Sequence, residues 1–166
     1  YTELSRLYLK EKSFEKAMAY AERAIDYNRY NIEALQLQAV ICRSQNNLSK
    51  DTTILQTILS YDPLNHFSRF EKYLIKPTEE SKMQFISLIR NELPQETFLE
   101  LAVWYYNSGY PTEAVKVLSL SPETAETIYW LSFLQNKKVN CADINPSFVF
   151  PFRSESGFVL EQLLAR

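Results

Sequence analysis

The sequence predicts an all-α chain of antiparallel helix pairs, and three observations carry that expectation. Apolar residues recur at i, i+3, i+4 and i+7 almost everywhere. Glycine occurs only twice in 166 residues, where average usage gives roughly a dozen, so hairpin-rich β folds lack their turns. Short segments also recur at a fixed offset: the shift that carries Asp26-Tyr27-Asn28-Arg29-Tyr30-Asn31 onto Ser60-Tyr61-Asp62-Pro63-Leu64-Asn65 also carries Ser5 onto Ala39.

In chain order, Leu4, Leu7 and Tyr8 mark one face of a first helix that ends near Lys12-Ser13. Phe14, Ala17, Met18, Ala21, Ala24 and Ile25 mark the second. Asn31 is placed to cap a third with the face Leu35, Ala39 and Cys42. After the polar turn Ser44-Gln45-Asn46-Asn47, a fourth carries Leu48, Ile54, Leu55, Ile58 and Leu59 and stops at Asp62-Pro63. Thr78 precedes a stripe of Met83, Phe85, Ile86 and Ile89, and Pro94 opens a helix with Phe98, Leu101, Ala102 and Tyr105. Pro111 and Pro122 each stand where a first helical turn accepts proline. A later helix carries Ile128, Leu131 and Ser132, and a last one Val159, Leu160, Leu163 and Leu164, for about ten helices in all.

Composition narrows the function classes. With 46% hydrophobic residues and 166 positions, the chain is sized for one soluble globular domain with a real core. Gly109 and Gly157 are too far apart for a phosphate-cradling loop, so no nucleotide fingerprint can be written. A net charge of -2 offers no basic face for nucleic acid. No run of 18 apolar residues exists, which predicts no membrane span. Cys42 and Cys141 are too few for a disulfide framework, and Cys42, beside Val40 and Ile41, reads as a buried structural thiol. The start at Tyr1 has neither methionine nor a signal-peptide pattern, which predicts a piece of a longer chain.

This period resembles the tetratricopeptide repeat, a helix-turn-helix unit of about 34 residues. Tyr1, Leu4, Ser5, Tyr8, Phe14, Ala17, Ala21 and Ala24 fall on its motif in a first unit. Leu35, Ala39, Cys42, Leu48, Leu55, Ile58 and Pro63 do so in a second, and Phe98, Leu101, Ala102, Tyr105, Gly109, Ala114 and Leu118 in a later one. The small residue lets paired helices approach, and the large ones fill gaps between units. The resemblance implies a right-handed superhelical array over residues 1–136, with Gly109 at the turn between paired helices. Departures are visible too. Arg69 and Tyr73 occupy the bulky and small places, Pro77 shortens a helix, and the interval from Ala102 to Ser132 falls short of a full period.

Residues 137–153 break the pattern. Asn145-Pro146 and Phe148-Val149-Phe150-Pro151-Phe152 exclude a helix interior and predict an extended connector, its three alternating phenylalanines packed on the array. Residues 154–166 then read as the start of a further helical unit. The string Phe148-Val149-Phe150-Pro151-Phe152-Arg153-Ser154-Glu155 is also similar to a junction in a gut-bacterial family of large proteins, in which an all-β domain precedes tetratricopeptide-like units.

Chemistry is sparse. A pairing of Cys42 with the single histidine, His66, lacks an orienting third group. No clustered metal ligands appear, and no cofactor is expected. Glu79-Glu80, Glu96 with Glu100, and Glu123 with Glu126 could be written as acid and base of a helical-toroid hydrolase. Most of these acids sit in first helical turns, where the helix dipole favours them. The resemblance instead puts function on the inner face, at Arg6, Lys10, Gln36, Arg43, Leu99 and Tyr106, with Trp104 a further aromatic candidate. The carboxylate clamp of chaperone-binding relatives is broken, since Thr2, Arg6 and Leu37 stand at its places. The expected function is a non-catalytic interaction or scaffolding segment of a larger bacterial multidomain protein, taking a protein or peptide ligand. A role as accessory module of a carbohydrate-processing protein is the alternative beside the hydrolase.

Overall fold

The computed structural model describes residues 1–90, 93–138 and 153–165, and ten α-helices account for its regular structure. No strand occurs among the described residues. Contacts divide the chain into two units, Tyr1–Arg90 with Asn107–Gly109, and Asn91–Tyr106 with Tyr110–Arg166.

The first unit holds α1 (Thr2–Lys10), α2 (Phe14–Tyr27), α3 (Ile32–Ser44), α4 (Leu48–Tyr61), α5 (His66–Ile75) and α6 (Glu79–Ile86). Each helix packs on the next, and α3 also packs on α1 and α5, so the odd-numbered helices form one layer. That makes α3 the most enclosed helix, with Ala34, Leu35 and every residue from Leu37 to Cys42 buried. Small residues mark the close approaches. Ser5 and Ala39 have no exposed surface, and Ser5 Oγ donates 2.7 Å to the Ala17 carbonyl across the α1–α2 seam.

The repeat period is written into the backbone hydrogen bonds. At the α2–α3 turn, Asn28 N–H donates to Ala24 O and Asn31 N–H to Asn28 O. The Asn28 side chain accepts from Tyr30 N–H, and Asn31 caps α3 through Ala34 N–H. At the α4–α5 turn, one period further on, Asp62, Leu64, Asn65 and Ser68 make the same four bonds. The turns within pairs repeat as well. Lys12 and Asn46 adopt φ of 60° and 58°, and the next residues, Ser13 and Asn47, donate to Tyr8 O and Cys42 O. This is the left-handed Schellman ending, which satisfies carbonyls that a helix end leaves open.

The second unit holds most of α7 (Pro94–Asn107), then α8 (Pro111–Leu118), α9 (Ala125–Leu134) and α10 (Ser154–Leu164). Helix α9 packs on both α8 and α10. Here too Tyr110 and Lys137 N–H donate to Tyr105 O and Ser132 O, after Gly109 at φ 82° and Asn136 at φ 54°. Pro111 stands at the first turn of α8, as expected.

Several expectations need correction. Leu4 and Leu7 are 41% and 57% exposed, while α1 buries Ser5 and Leu9, because the close α1–α2 seam takes the serine side. Met83 is exposed and Ile89 lies past the end of α6, whose buried residue is Phe85. Pro122 precedes α9 altogether; the cap is Thr124, in a capping box with Thr127. The turn bond also resets the register of the later unit. Ser132 accepts where Tyr8, Cys42 and Tyr105 accept, so it matches those residues and not Ala102. Tyr129 therefore stands three residues before the turn acceptor, as Ser5, Ala39 and Ala102 do. The phenylalanines at 148, 150 and 152, and Cys141, lie outside the described residues.

Candidate binding surface

In the first unit, the layer of α1, α3 and α5 is laced by polar cross-links between neighbouring helices. Arg6 pairs with Glu33 of α3 and, at 3.1 Å, with Glu3 of its own helix. Asn31 Nδ2 donates to Thr2 Oγ1 at 3.3 Å. Arg43 grips Glu71 of α5 with two bonds, Nε to Oε2 at 2.7 Å and Nη2 to Oε1 at 3.3 Å. Two charge-assisted N–H···O bonds, one to each carboxylate oxygen, make this the firmest of the links. Gln36 is half-buried on the same helix, and Lys10 is exposed at the end of α1.

Beside the Arg43–Glu71 pair lies Asp51, the fourth residue of α4. Its side chain has no exposed surface, and neither carboxylate oxygen has a hydrogen-bond partner among the described residues. Burial pushes its carboxyl up to about 7, Glu71 adds to the rise and Arg43 opposes it. Asp51 therefore holds a proton through much of the acidic range. Sequence reading passed over this cluster. A signal was present, because Asp51, Ile54, Leu55 and Ile58 form an i, i+3, i+4, i+7 stripe, as do Phe67, Phe70, Glu71 and Leu74. A charged residue inside an apolar stripe is either paired or protonated, and these two acids show one case each. The Cys42 thiol is 1% exposed and burial pushes it up, the opposite of the electropositive setting of a reactive cysteine.

In the second unit, Tyr106 is half-buried and lies edge-on to Trp130 and Phe133, at centroid distances of 5.8 and 5.7 Å. Trp104, also half-buried, meets Tyr105 edge-on at 5.2 Å. Leu99 has no exposed surface; it is a packing residue, and its helix presents it to the core. Trp130 is likewise buried and donates from Nε1 to Ser156 Oγ at 2.9 Å, while Ser156 donates to Glu126. This chain of bonds ties α10 to α9. Burial raises the Glu126 carboxyl, against the Ser156 bond, with Glu96 adding and Arg153 opposing. Glu96 and Arg153 stand 3.6 Å apart as an ion pair. Glu96 and Glu126, two of the acids considered in the sequence, thus come within electrostatic reach from different helices.

Of the seven sequence-derived residues, Arg6, Gln36 and Arg43 gather on the α1–α3–α5 layer with Lys10 at its edge. Arg6 and Arg43 are engaged in ion pairs there. Among the described residues, no three His, Cys, Asp or Glu side chains are grouped to hold a metal ion, and no helix is long and apolar enough to cross a membrane. The class these features define is an all-helical protein in which consecutive helices pack on one another. Comparison with protein-family models, curated proteins and solved structures returned no match.

Proposed function

We propose that the chain is a tetratricopeptide-like helical-repeat segment, right-handed in its superhelix, that acts without catalysis as a binding or scaffolding module of a larger protein. The observation that carries this reading is the recurrence of the same four turn hydrogen bonds one period apart, at Asn28–Ala34 and Asp62–Ser68. Stacked units of that kind offer a continuous face made by alternate helices, and such faces recognise extended or helical peptides. In the first unit the Lys10 ammonium, the Gln36 amide and the Arg6–Glu33 pair are the groups that a peptide could meet on it. The half-buried, paired arginines serve here to hold the layer, so affinity rests on the half-buried Gln36 and the exposed Lys10.

Selection of peptides from a random display library against the chain tests the proposal. A converging set of sequences is expected, with affinity reduced at least about tenfold, roughly 1.4 kcal/mol, by Lys10→Ala combined with Gln36→Ala. Failure of any consensus to emerge, or a consensus that binds the double variant equally well, sinks it.

A further inference from the structure

The cavities of the first unit point to a second surface. Helices α4 and α6 both pack on α5, and α5 lies between their facing sides. Thr52, Gln56 and Leu59 lie at i, i+4 and i+7 on α4, while Gln84 lies on α6 and Ser87 caps its C-terminal end. Two cavities of about 380 and 310 Å³ open between these sides, and Lys72 of α5 and Gln84 line both of them. They therefore adjoin as one trough with Lys72 at the junction.

Its chemistry is lopsided. Arg69, Lys72 and Lys76 line it against one acid, Glu80. The Arg69 guanidinium is held by the Pro63 and Asn65 carbonyls, and the Glu80 carboxylate accepts from Gln84 at 3.3 Å. The half-buried Lys72 ammonium makes no hydrogen bond or ion pair among the described residues, nor does the Gln56 amide. From Thr52 to Leu59 the α4 wall runs about 10 Å, the length of three to four extended residues. Amide side chains on both walls supply the donors and acceptors that a peptide main chain requires.

We propose that this trough binds an extended peptide segment through an Asp or Glu side chain set on Lys72. It shares no residue with the α1–α3 surface described above, so either surface can exist without the other. Lys72 supplies the charge recognition, and Gln56 and Gln84 hold the flanking main chain from opposite walls. Because the ammonium already lies in the trough without a counter-ion, an incoming carboxylate displaces only water.

The test uses the full chain and fluorescent pools of short acetylated peptides, randomised except for a fixed central Asp or Glu, beside matched pools with Asn or Gln. Saturable anisotropy is expected for the acidic pools alone. It should weaken at least about tenfold in Lys72→Met, survive in Lys72→Arg, and weaken as ionic strength rises. Amide shifts on titration should centre on Thr52, Gln56 and Gln84. The proposal is overturned if acidic pools do not saturate, if the Asn and Gln pools bind equally well, or if Lys72→Met leaves binding unchanged. Shifts centred on Arg6 and Gln36 would also overturn it, while supporting the other surface.

Discussion

Asp51 brings two carboxylate oxygens into the interior beside the one carboxylate, Glu71, that Arg43 already neutralises. Ionising it adds a buried negative charge with no cation of its own. The folded carboxyl titrates at about 7, whereas an aspartate in an unfolded chain titrates near 3.9. Between those values the folded state binds the proton and the unfolded state does not. This contribution is therefore fully present below about pH 4 and is lost as pH rises through 7, by up to about 4 kcal/mol. The Asn side chain keeps the shape of the protonated acid and cannot ionise. Urea midpoints of Asp51→Asn should accordingly fall less from pH 5 to pH 8 than those of the wild type, and the variant should be the more stable of the two at pH 8. Parallel midpoints for the two proteins would show that Asp51 is ionised at both pH values. Ser5 gives a simpler case. Ser5→Ala removes the bond to the Ala17 carbonyl in a buried seam and should cost about 1 kcal/mol, while Ser5→Leu overfills the seam and should cost about 1–3 kcal/mol or more, both read by the same denaturation.

The helix ends carry as much information as the helices. At Lys12, Asn46 and Asn136 the chain enters the left-handed region with a side chain present, which is costly for most L-residues and least so for glycine and asparagine. The requirement at Asn46 is conformational, since the turn bond of Asn47 to Cys42 O is main chain. Asn46→Val should therefore destabilise the chain by about 1–2 kcal/mol, and Asn46→Gly should stay within about 0.5 kcal/mol of the wild type. Equal midpoints for the two variants would mean that the turn had relaxed away from this geometry. These ends also show how far the sequence could be read. Helix pairs, the Asn31 cap and the Gly109 turn were legible because asparagine and glycine have few other uses at those places. The register of α9 was not, because the small residue expected there is Tyr129, and spacing from Ala102 to Ser132 was the remaining guide. The buried face of α1 was misread for a related reason. Leucine at positions 4 and 7 outweighs serine at position 5 in any hydrophobic pattern, yet it is the serine that is buried in the α1–α2 seam. Of the Asp51–Arg43–Glu71 cluster only Arg43 stood out in the sequence, because the two acids lie on different helices, α4 and α5, and spacing along one helix does not bring them together.

Across the first unit, stability should follow neighbour relations. Helix α3 touches α1, α2, α4 and α5, while the principal contact of α6 is α5. In a stack whose members contact mainly their neighbours, a defect propagates as far as its contacts reach. Leu37 of α3 and Phe85 of α6 are both fully buried, so truncating either opens a cavity costing about 2–5 kcal/mol. The consequences differ in reach. Native-state hydrogen exchange should show Leu37→Ala raising exchange together in α1 through α5, because each of them leans on α3. Phe85→Ala should raise it in α5 and α6 and leave the α1 and α2 amides within about twofold of the wild type. Equal loosening of α1 by both substitutions would mean that the six helices open as one cooperative block, and the nearest-neighbour account of the unit would have to be abandoned.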